Sequence, residues 1–511
     1  MARRTREAGT LSKLPLFLMI WGIASLAMWV PAALALAQDD HHTSRSFFYS
    51  GILGLFVVSL IALSLGNRNL RHRLLGQLLS LLAVLAILPL FLALPLFEAL
   101  GTTTYLNAYF DMVSAVTTTG ADLFDDPGRL SDPLHLWRAM VAWMGGFLMW
   151  VAASAILAPM SLGGFEITAR GEPGRTAVTP AQMHRADPRK RLIRITKTLA
   201  PVYAGLTGAL WILLMIGGET SLVGLCHAMS VLATSGLSPV GGLENAQSGM
   251  AGEAVLFLFM FFALSRLTFS SDTAASGMTR LDKDPEFRIG LLLVVAIPVI
   301  LFLRHWIGAL DVNAGENSAQ ALRAFWGAMF TVMSFLSTTG FESADWGQAQ
   351  QWSGLGTPGI ILLGLSVIGG GVATTAGGVK LLRVYALYLN GLRDMERLVH
   401  PSSVSGQRSG DKRIQKNGAF VAWIFFMLFA LTLAFFSVTL AALGADFEEA
   451  MVLSISALST TGPLVHVATD TPIHLASLPD VSKIVLCFAM MMGRLETLAL
   501  IALFTPDLWR S

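Results

Sequence analysis

The chain has 511 residues, of which 54% are hydrophobic and 13% are charged, with a formal net charge of +2 and a mean hydropathy of +0.62. A soluble domain covers its surface with about 25% charged residues, so this composition excludes a soluble globular protein and indicates a chain embedded in lipid. The small net charge and the lack of basic stretches interleaved with aromatic residues argue against a nucleic-acid partner. Cys226 and Cys487 lie far apart in apolar stretches and are interpreted as packing residues.

Ten apolar segments are long enough to cross a bilayer, which takes about 20 residues. They lie at 14–37, 47–66, 74–100, 136–160, 192–217, 252–272, 288–310, 357–390, 418–444 and 481–504. The first segment follows Arg3, Arg4, Arg6 and Lys13 and resembles a signal peptide. Its length, and the second apolar segment soon after it, favour a retained helix.

The distribution of Lys and Arg between the loops predicts the orientation, because positive residues resist translocation. The two termini and the loops after crossings two, four, six and eight hold 25 of the 35 Lys and Arg residues. The loops after crossings one, three, five, seven and nine hold 5. With ten crossings, this asymmetry places both termini in the cytoplasm. The longest cytoplasmic loops, 163–197 and 391–416, are too short to fold as domains, so any soluble regulatory or nucleotide-binding domain must come from another chain.

Four shorter apolar pieces lie between crossings three and four, five and six, seven and eight, and nine and ten. Each contains the pattern Ser-x-x-x-Thr-[Ser/Thr]-Gly, which ends at Gly120, Gly236, Gly340 or Gly462. A single copy would more often be a helix C-cap than a site. Four copies in equivalent places, with glycines 116, 104 and 122 residues apart, indicate an internal repeat that enters the membrane from outside.

These four pieces have the chemistry of an ion filter. A short helix that stops midway across the membrane points the partial negative charge of its carbonyl end at the pore centre, where it favours a cation. An extended Thr-Thr-Gly segment beyond it can replace the water shell of the ion with carbonyl oxygens, while hydroxyl groups hold the segment to its own pore helix. The predicted filter residues are Thr117, Thr118, Thr119, Gly120, Ala233, Thr234, Ser235, Gly236, Ser337, Thr338, Thr339, Gly340, Ser459, Thr460, Thr461 and Gly462.

The chain resembles a TrkH-type member of the Trk/Ktr/HKT superfamily of potassium transporters over nearly its whole length. The stretches that carry the resemblance are 113–121, 336–341, 369–383, 493–496 and 503–506. The resemblance implies an all-α polytopic membrane protein with four M1-P-M2 (helix, pore loop, helix) repeats in pseudo-fourfold symmetry and two extra N-terminal transmembrane helices. It also implies K+ as the transported ion, a homodimer in a bacterial inner membrane, and a cytosolic nucleotide-binding regulatory subunit of the TrkA type. Ser235 is a departure, since the family more often has a glycine there, and it bears on the selectivity of the second filter.

The corresponding division of the chain places two transmembrane helices in 1–73, followed by four repeats. The repeats are predicted at 74–170, 171–275, 276–400 and 401–511, with filters at 117–121, 233–237, 337–341 and 459–463. Each repeat contains one spanning helix, one short piece and a second spanning helix.

The eighth crossing is interrupted by a stretch at 369–378 that contains five glycines and two threonines. Close helix packing through small residues is one interpretation. The entropy that glycine loses in a helix favours an unwound loop facing the pore, and the resemblance assigns this loop to an intramembrane gate. The predicted gate residues are Gly369, Gly370, Gly371, Thr374, Thr375, Gly377, Gly378, Lys380 and Arg494.

Charged residues inside the apolar segments are functional candidates, because a charge in the membrane is costly. Arg494 and Glu496 are only two residues apart and so lie on different faces of a helix. Arg494 is therefore either an electrostatic restraint in the pore or a structural partner of another helix. Lys380 and Arg383 either serve the gate or extend to the cytoplasmic interface.

Three further residues are singled out without a transport role. Asp111 and His227 occupy equivalent positions in the first two short pieces and are interpreted as packing residues near the pore mouth. Arg266, inside the sixth crossing, receives no role.

Uptake of K+ through the four filters is the expected function, with no enzymatic activity, no cofactor in this chain and no transition-metal site. A Na+/K+-permeable or ion-coupled cation symporter of the same superfamily is the main alternative. A secondary transporter for an organic solute fits less well, because such proteins usually consist of two inverted halves. A membrane enzyme is disfavoured, because the sequence has no HExxH motif and no GxSxG motif.

Overall fold

The structure is a computed structural model that describes residues 15–65, 74–124, 126–158, 188–265, 284–309, 318–353, 359–399, 418–469 and 471–495. These ranges consist of helices and connecting loops without a strand, which confirms the predicted all-α class. In chain order the α-helices are α1 (Leu16–Ala27), α2 (Trp29–Ala37), α3 (His41–Leu65), α4 (Leu74–Ala86), α5 (Leu88–Leu100), α6 (Tyr105–Val116), α7 (Asp132–Ala152), α8 (Pro188–Ile216), α9 (Ser221–Ala233), α10 (Gly249–Met260), α11 (Pro285–Ala309), α12 (Ser318–Leu336), α13 (Trp346–Ser353), α14 (Gly359–Ile368), α15 (Leu381–Val399), α16 (Gly418–Ala442), α17 (Phe447–Ser459), α18 (Leu464–Val467) and α19 (Asp480–Leu495).

Seven helical spans in the described ranges are long and apolar enough to cross a bilayer, and they correspond to predicted crossings one to five, seven and nine. The sixth crossing is described as the shorter apolar helix Gly249–Ala263, and the tenth as α19. The eighth is divided into α14 and α15 by the non-helical residues 369–380. The interruption that the glycines predict is therefore confirmed.

Proline explains the breaks inside two of the spans. Pro31 and Pro89 have no N–H group to donate to the carbonyls of Ala27 and Leu85, where the helical pattern would require one. The first span is accordingly divided into α1 and α2, and the third into α4 and α5.

Four helices of 12, 13, 19 and 13 residues contain the predicted pore pieces, and we name them pore helices 1 to 4. They are α6, α9, α12 and α17, and each packs between the helices that precede and follow it: α5 and α7, α8 and α10, α11 and α14, and α16 and α19. Their filter-side ends are buried in protein, as all residues from Phe110 to Val116 illustrate in pore helix 1.

The helix that follows each pore helix also packs against the next pore helix. These contacts join α7 to pore helix 2, α10 to pore helix 3, α14 to pore helix 4 and α19 to pore helix 1. The series returns to its start, so the four pore helices form a closed ring. Apolar side chains on the outer helices, such as Phe420, Leu431 and Val438 of α16, face outward where a bilayer would solvate them.

Candidate ion filter and the loop against it

Each pore helix leads to a threonine with a left-handed backbone conformation. The φ angles are 55° at Thr118, 54° at Thr234, 58° at Thr338 and 54° at Thr460. A positive φ in a β-branched residue is a rare outlier that surrounding structure has to stabilise. These are the four threonines that the sequence pattern aligns, so the repeat in sequence is also a repeat in backbone conformation.

One backbone hydrogen bond recurs beside all four threonines. The N–H of the next residue donates to the carbonyl oxygen of the serine that begins the pattern, as in a Schellman helix end. The four bonds are Thr119 to Ser114 (2.8 Å), Ser235 to Ser230 (2.9 Å), Thr339 to Ser334 (2.9 Å) and Thr461 to Ser456 (2.9 Å). The chain therefore leaves each pore helix through the same closed turn.

Hydroxyl groups hold each filter segment to its own pore helix or turn, as the sequence predicts. The Oγ atoms of Ser114 and Ser456 donate to the carbonyls of Ala121 (3.0 Å) and Thr461 (3.1 Å). Hydroxyl pairs link Ser230 to Ser235 (3.1 Å) and Ser337 to Thr339 (2.9 Å). Ser235, the departure from the family pattern, thus fits the common turn.

The filter glycines are the places where neighbouring segments meet. A Cβ atom at Gly120 would lie 1.5 Å from the carbonyl oxygen of Ser235, and one at Gly236 would lie 2.2 Å from that of Thr339. A Cβ atom at Gly340 would lie 2.7 Å from Cγ of Pro463.

The last contact closes the circle, because the N–H of Gly462 donates to the carbonyl of Thr119 at 2.6 Å. The four segments 117–120, 233–236, 337–340 and 459–462 therefore form one ring in chain order, which we name the filter ring. No side chain fits at its glycines without displacing a neighbouring backbone or Pro463.

Residues 369–380, which we name the central loop, pack against the filter ring. The N–H of Gly377 donates to Oγ1 of Thr338 at 2.7 Å, and a Cβ atom at Gly377 would lie 2.1 Å from the carbonyl oxygen of Ser459. Positive φ angles at Gly369 (71°) and Gly378 (75°) allow the chain to turn out of α14 and back. The loop thus brings backbone directly against two quarters of the ring.

The central loop is also anchored to distant parts of the chain. Ala373 belongs to the same small apolar cluster as Ala153, at the end of the span that begins with α7. Three hydrogen bonds join the loop to other elements: Gly371 N–H to the Ala263 carbonyl (2.9 Å), Val372 N–H to Oε1 of Glu286 (2.9 Å) and Thr375 Oγ1 to the Leu232 carbonyl (3.1 Å).

Arg494 connects the last spanning helix to the central loop. Its side chain is buried, with 6% exposed, and Nη1 donates to the carbonyl oxygen of Thr375 at 2.7 Å. Its Nε and Nη2 atoms have no partner in the described part of the chain, where no carboxylate forms an ion pair with it. Glu496 lies outside the described residues. The guanidinium charge is therefore held beside the loop by a neutral carbonyl.

Lys380 and Arg383 are buried within the protein and do not extend to an interface. The ammonium group of Lys380 donates to the carbonyl of Ala376, within the central loop. The guanidinium carbon of Arg383 lies 3.5 Å from the ring centroid of Phe425, and Nη1 donates to the carbonyl of Val379. Both residues stabilise the central loop and the start of α15 through these contacts.

Sequence reasoning missed the partner of Asp111, which is Arg138 on α7. The same guanidinium also binds Asp122, two residues beyond Gly120. A charge in the fourth crossing and another in a pore helix each require a partner, and that rule could have paired them. Nε2 of His227 instead shares a hydrogen bond with Oγ of Ser238 (2.9 Å), while Arg266 lies outside the described residues.

A second acidic residue follows the third filter segment, at the position equivalent to Asp122. Glu342 comes two residues after Gly340, outside the spanning helices. Burial, with the nearby carboxylate of Glu244 as a smaller cause, raises the pKa of Glu342 to about 7. Its charge therefore changes within the neutral pH range.

The ring of pore helices and the filter ring inside it define a multi-pass membrane transport protein. A family model described as TrkH, cation transport protein, matches residues 249–510. The Trk system potassium uptake protein TrkH of Halomonas elongata is 30% identical over 469 residues, which cover 90% of this chain and 91% of the relative. The protein of the same name in Escherichia coli is 28% identical over 424 residues and covers 82% of each chain.

Solved structures give the same result. The crystal structure of the potassium transporter TrkH from Vibrio parahaemolyticus superimposes with a TM-score of 0.79 and 26% identity, over 98% of this chain and 100% of that one. The chain belongs to the TrkH family of cation transport proteins. The resemblance drawn from the filter and loop motifs is therefore confirmed, as is the expectation of a transporter and not an enzyme.

Proposed function

We propose that this chain takes up K+ across a bacterial inner membrane through the filter ring. The observation that carries the proposal is the closed contact series of four equivalent segments, each with a left-handed threonine and a glycine that admits no side chain. Such a ring can present backbone carbonyl oxygens to a dehydrated cation. Relatives that are named for potassium uptake match this chain over most of their length, and they support K+ as the ion.

The direct test is ion flux through the purified chain in proteoliposomes. We expect Rb+ or K+ entry that exceeds Na+ entry, and restored growth at low external K+ in a host without its own uptake systems when a cognate cytosolic subunit is present. A correctly inserted chain that passes neither ion would contradict the proposal. Dependence of the flux on an imposed Na+ or H+ gradient would favour the ion-coupled symport alternative.

The central loop is proposed as the gate on the cytoplasmic side of the filter ring, with Arg494 as an electrostatic barrier. The contacts of the central loop with groups of different repeats support this gate proposal. These groups include Leu232, Glu286, Thr338 and Arg494. A nucleotide-binding cytosolic subunit would act by binding the open and closed arrangements with different affinities.

Deletion of residues 372–376 tests this gate. We expect higher basal Rb+ flux without the subunit, because the backbone that packs against the ring is removed. A deletion variant that inserts normally and passes no more Rb+ than the parent would show that the path is closed elsewhere.

We also propose the organisation that the family resemblance and the distribution of Lys and Arg imply. The four repeats occupy 74–170, 171–275, 276–400 and 401–511 with pseudo-fourfold symmetry, after two N-terminal helices in 1–73. Both termini face the cytoplasm, and the chain forms a homodimer. Accessibility of cysteines introduced into the loops 163–197 and 391–416 to membrane-impermeant reagents tests the orientation.

A further inference from the structure

Arg138 binds two carboxylates with one guanidinium group. Nε and Nη2 donate to Oδ2 and Oδ1 of Asp111 at 3.0 and 2.8 Å. Nη2 also donates to Oδ1 of Asp122 at 2.7 Å, and Nη1 lies 3.5 Å from Oδ2. Arg138 and Asp111 are each 2% exposed, whereas the Asp122 side chain is 29% exposed. The buried pair thus extends to the edge of the protein through Asp122.

The two carboxylates lie on either side of the first filter segment. Asp111 is on pore helix 1, before residues 117–120, and Asp122 comes two residues after them. Arg138 comes from a third element, α7. The guanidinium therefore fixes the exit of the filter segment relative to the middle of its own pore helix, in addition to the local hydroxyl bonds. Bidentate pairing makes this link more directional than a single hydrogen bond.

The other three repeats join the pore helix to the filter exit in other ways. In repeat 2 the equivalent residues are His227 and Ser238, joined by one hydrogen bond of 2.9 Å. In repeat 3 the equivalent residues are Thr331 and Glu342, and Thr331 accepts a bond of 3.3 Å from the N–H of the next residue, Ser343. The buried carboxylate of Glu253 on α10 also joins this pore helix to the filter exit, because it accepts bonds from Trp326 (2.9 Å), Ser343 Oγ (2.7 Å) and Ala344 N–H (2.7 Å).

In repeat 4 the equivalent residues are Leu453 and Leu464, both buried and apolar. The link between pore helix and filter exit therefore differs around the ring, from an arginine clamp in repeat 1 and a buried carboxylate in repeat 3 to apolar packing in repeat 4. The four quarters of the ring are alike in backbone and unlike in how they are held.

We propose that Arg138 is a positioning residue that sets the cation selectivity of the filter ring by fixing its first quarter. The inference rests on the proposed function, because it presupposes that the ring selects the ion. Carbonyl oxygens that are held in place cannot close around the smaller Na+ ion, whereas a loosened segment can.

The structure supplies a variant that removes the clamp without changing the local charge. Asp111, Asp122 and Arg138 together carry a net charge of −1. Asp111→Asn combined with Arg138→Gln leaves only the charge of Asp122, so the net charge stays at −1. An amide pair also replaces the ion pair, so no unpaired charge is left buried. Attraction of cations to the mouth is thereby kept, and positioning alone is altered.

We expect the double variant to lower the permeability ratio of Rb+ to Na+ in proteoliposomes by about tenfold. A change of this size corresponds to the free energy of one charge-assisted hydrogen bond. Ser238→Ala, which removes the single neutral link of repeat 2, is the matched control and should lower the ratio by about threefold or less. The apparent KM for Rb+ should stay near that of the parent in the double variant, because the mouth charge is unchanged. A general structural defect would instead reduce total flux and leave the ratio intact.

The outcomes separate the inference from the proposed function. Parent protein that passes no Rb+ contradicts the proposed function. A selective parent with an equally selective double variant overturns the role of Arg138 alone. If the double variant elutes as aggregate, Arg138→Lys decides, because it keeps the charge and loses the bidentate fork. A reduced ratio then supports the clamp, and an unchanged ratio refutes it.

Discussion

The filter ring and the central loop are both non-helical backbone in a membrane protein, but they are stabilised in different ways. The filter segments bond mainly to their own helices, through the serine carbonyls and hydroxyls of each repeat. The central loop bonds to groups far away in sequence, such as Leu232, Glu286 and Arg494. A locally tied segment keeps its shape when its surroundings move. A loop tied at several distant points can be released by changing one of them.

The comparison predicts that the ring is the less tolerant region, and Gly120→Ser tests it most severely. The new Cβ would lie 1.5 Å from the carbonyl oxygen of Ser235, so the segments must separate. Overpacking of this kind costs about 1–3 kcal/mol, which corresponds to as much as about a hundredfold in relative permeability. We expect Na+ entry to rise relative to Rb+ entry in a flux assay.

Gly208→Ala is the control for that substitution, since a Cβ atom at Gly208 meets nothing within 4 Å. Its selectivity should match the parent. An unchanged ratio in well-expressed Gly120→Ser would place the selective step outside the filter ring.

Replacement of Arg494 by alanine tests the central loop, and it should have the next largest effect. A cation that passes a fixed positive charge at about 4 Å meets a repulsion of about 4 kcal/mol at an effective dielectric constant of 20, and water in the pore lowers this value. A remaining barrier of about 1.4 kcal/mol corresponds to a tenfold change in rate. We therefore expect basal Rb+ flux about tenfold above the parent, with selectivity unchanged.

Arg494→Lys distinguishes charge from hydrogen bonding at this position. Lysine cannot reproduce the guanidinium fork, but it keeps the positive charge. Because the charge forms the proposed barrier, the basal flux of this variant should stay close to the parent. Equal flux from the alanine variant and the parent would leave the arginine with a structural role only.

Glu286→Gln should have a smaller effect, because it weakens one anchor of the loop and keeps its geometry. The amide oxygen can still accept the N–H of Val372, but the charge assistance is lost. A weakening of the closed arrangement by about 0.7 kcal/mol raises basal flux about threefold. Rb+ flux in the absence of a cytosolic subunit measures it, and a value at or below the parent would exclude Glu286 as an anchor of the closed loop.

The smallest expected effect concerns pH at the filter exit. Because the pKa of Glu342 is raised to about 7, its carboxyl is mostly protonated at pH 6 and mostly ionised at pH 8. Added negative charge near the ring attracts cations, so uptake at low K+ should increase by about twofold or less between these pH values. Glu342→Gln should flatten this rise, and a rise that persists in the variant would assign it to another group.

The same contrast explains what the sequence could predict. The repeated turn is predictable from the sequence because its bonds are short-range and occur four times, so that Ser114, Ser230, Ser334 and Ser456 align without a structure. The interruption at 369–378 was found because glycine has a known conformational cost. The partner of Arg494 could not be found, since the carbonyl of Thr375 has no side-chain signature. Arg138 and Asp111 are 27 residues apart on different helices, and Glu286 and Val372 are 86 apart.

The filter ring is encoded by one gene as four separate segments, and this has a genetic consequence. In a pore assembled from four copies of a chain, a single mutation alters every quarter at once. Here a mutation alters one quarter and leaves three as they were. Ala121, Leu237, Phe341 and Pro463, which follow the four filter glycines, all differ. Under the proposed function, ion preference can therefore be tuned in quarter steps, and a harmful change in one segment can be compensated by a second change in its neighbour.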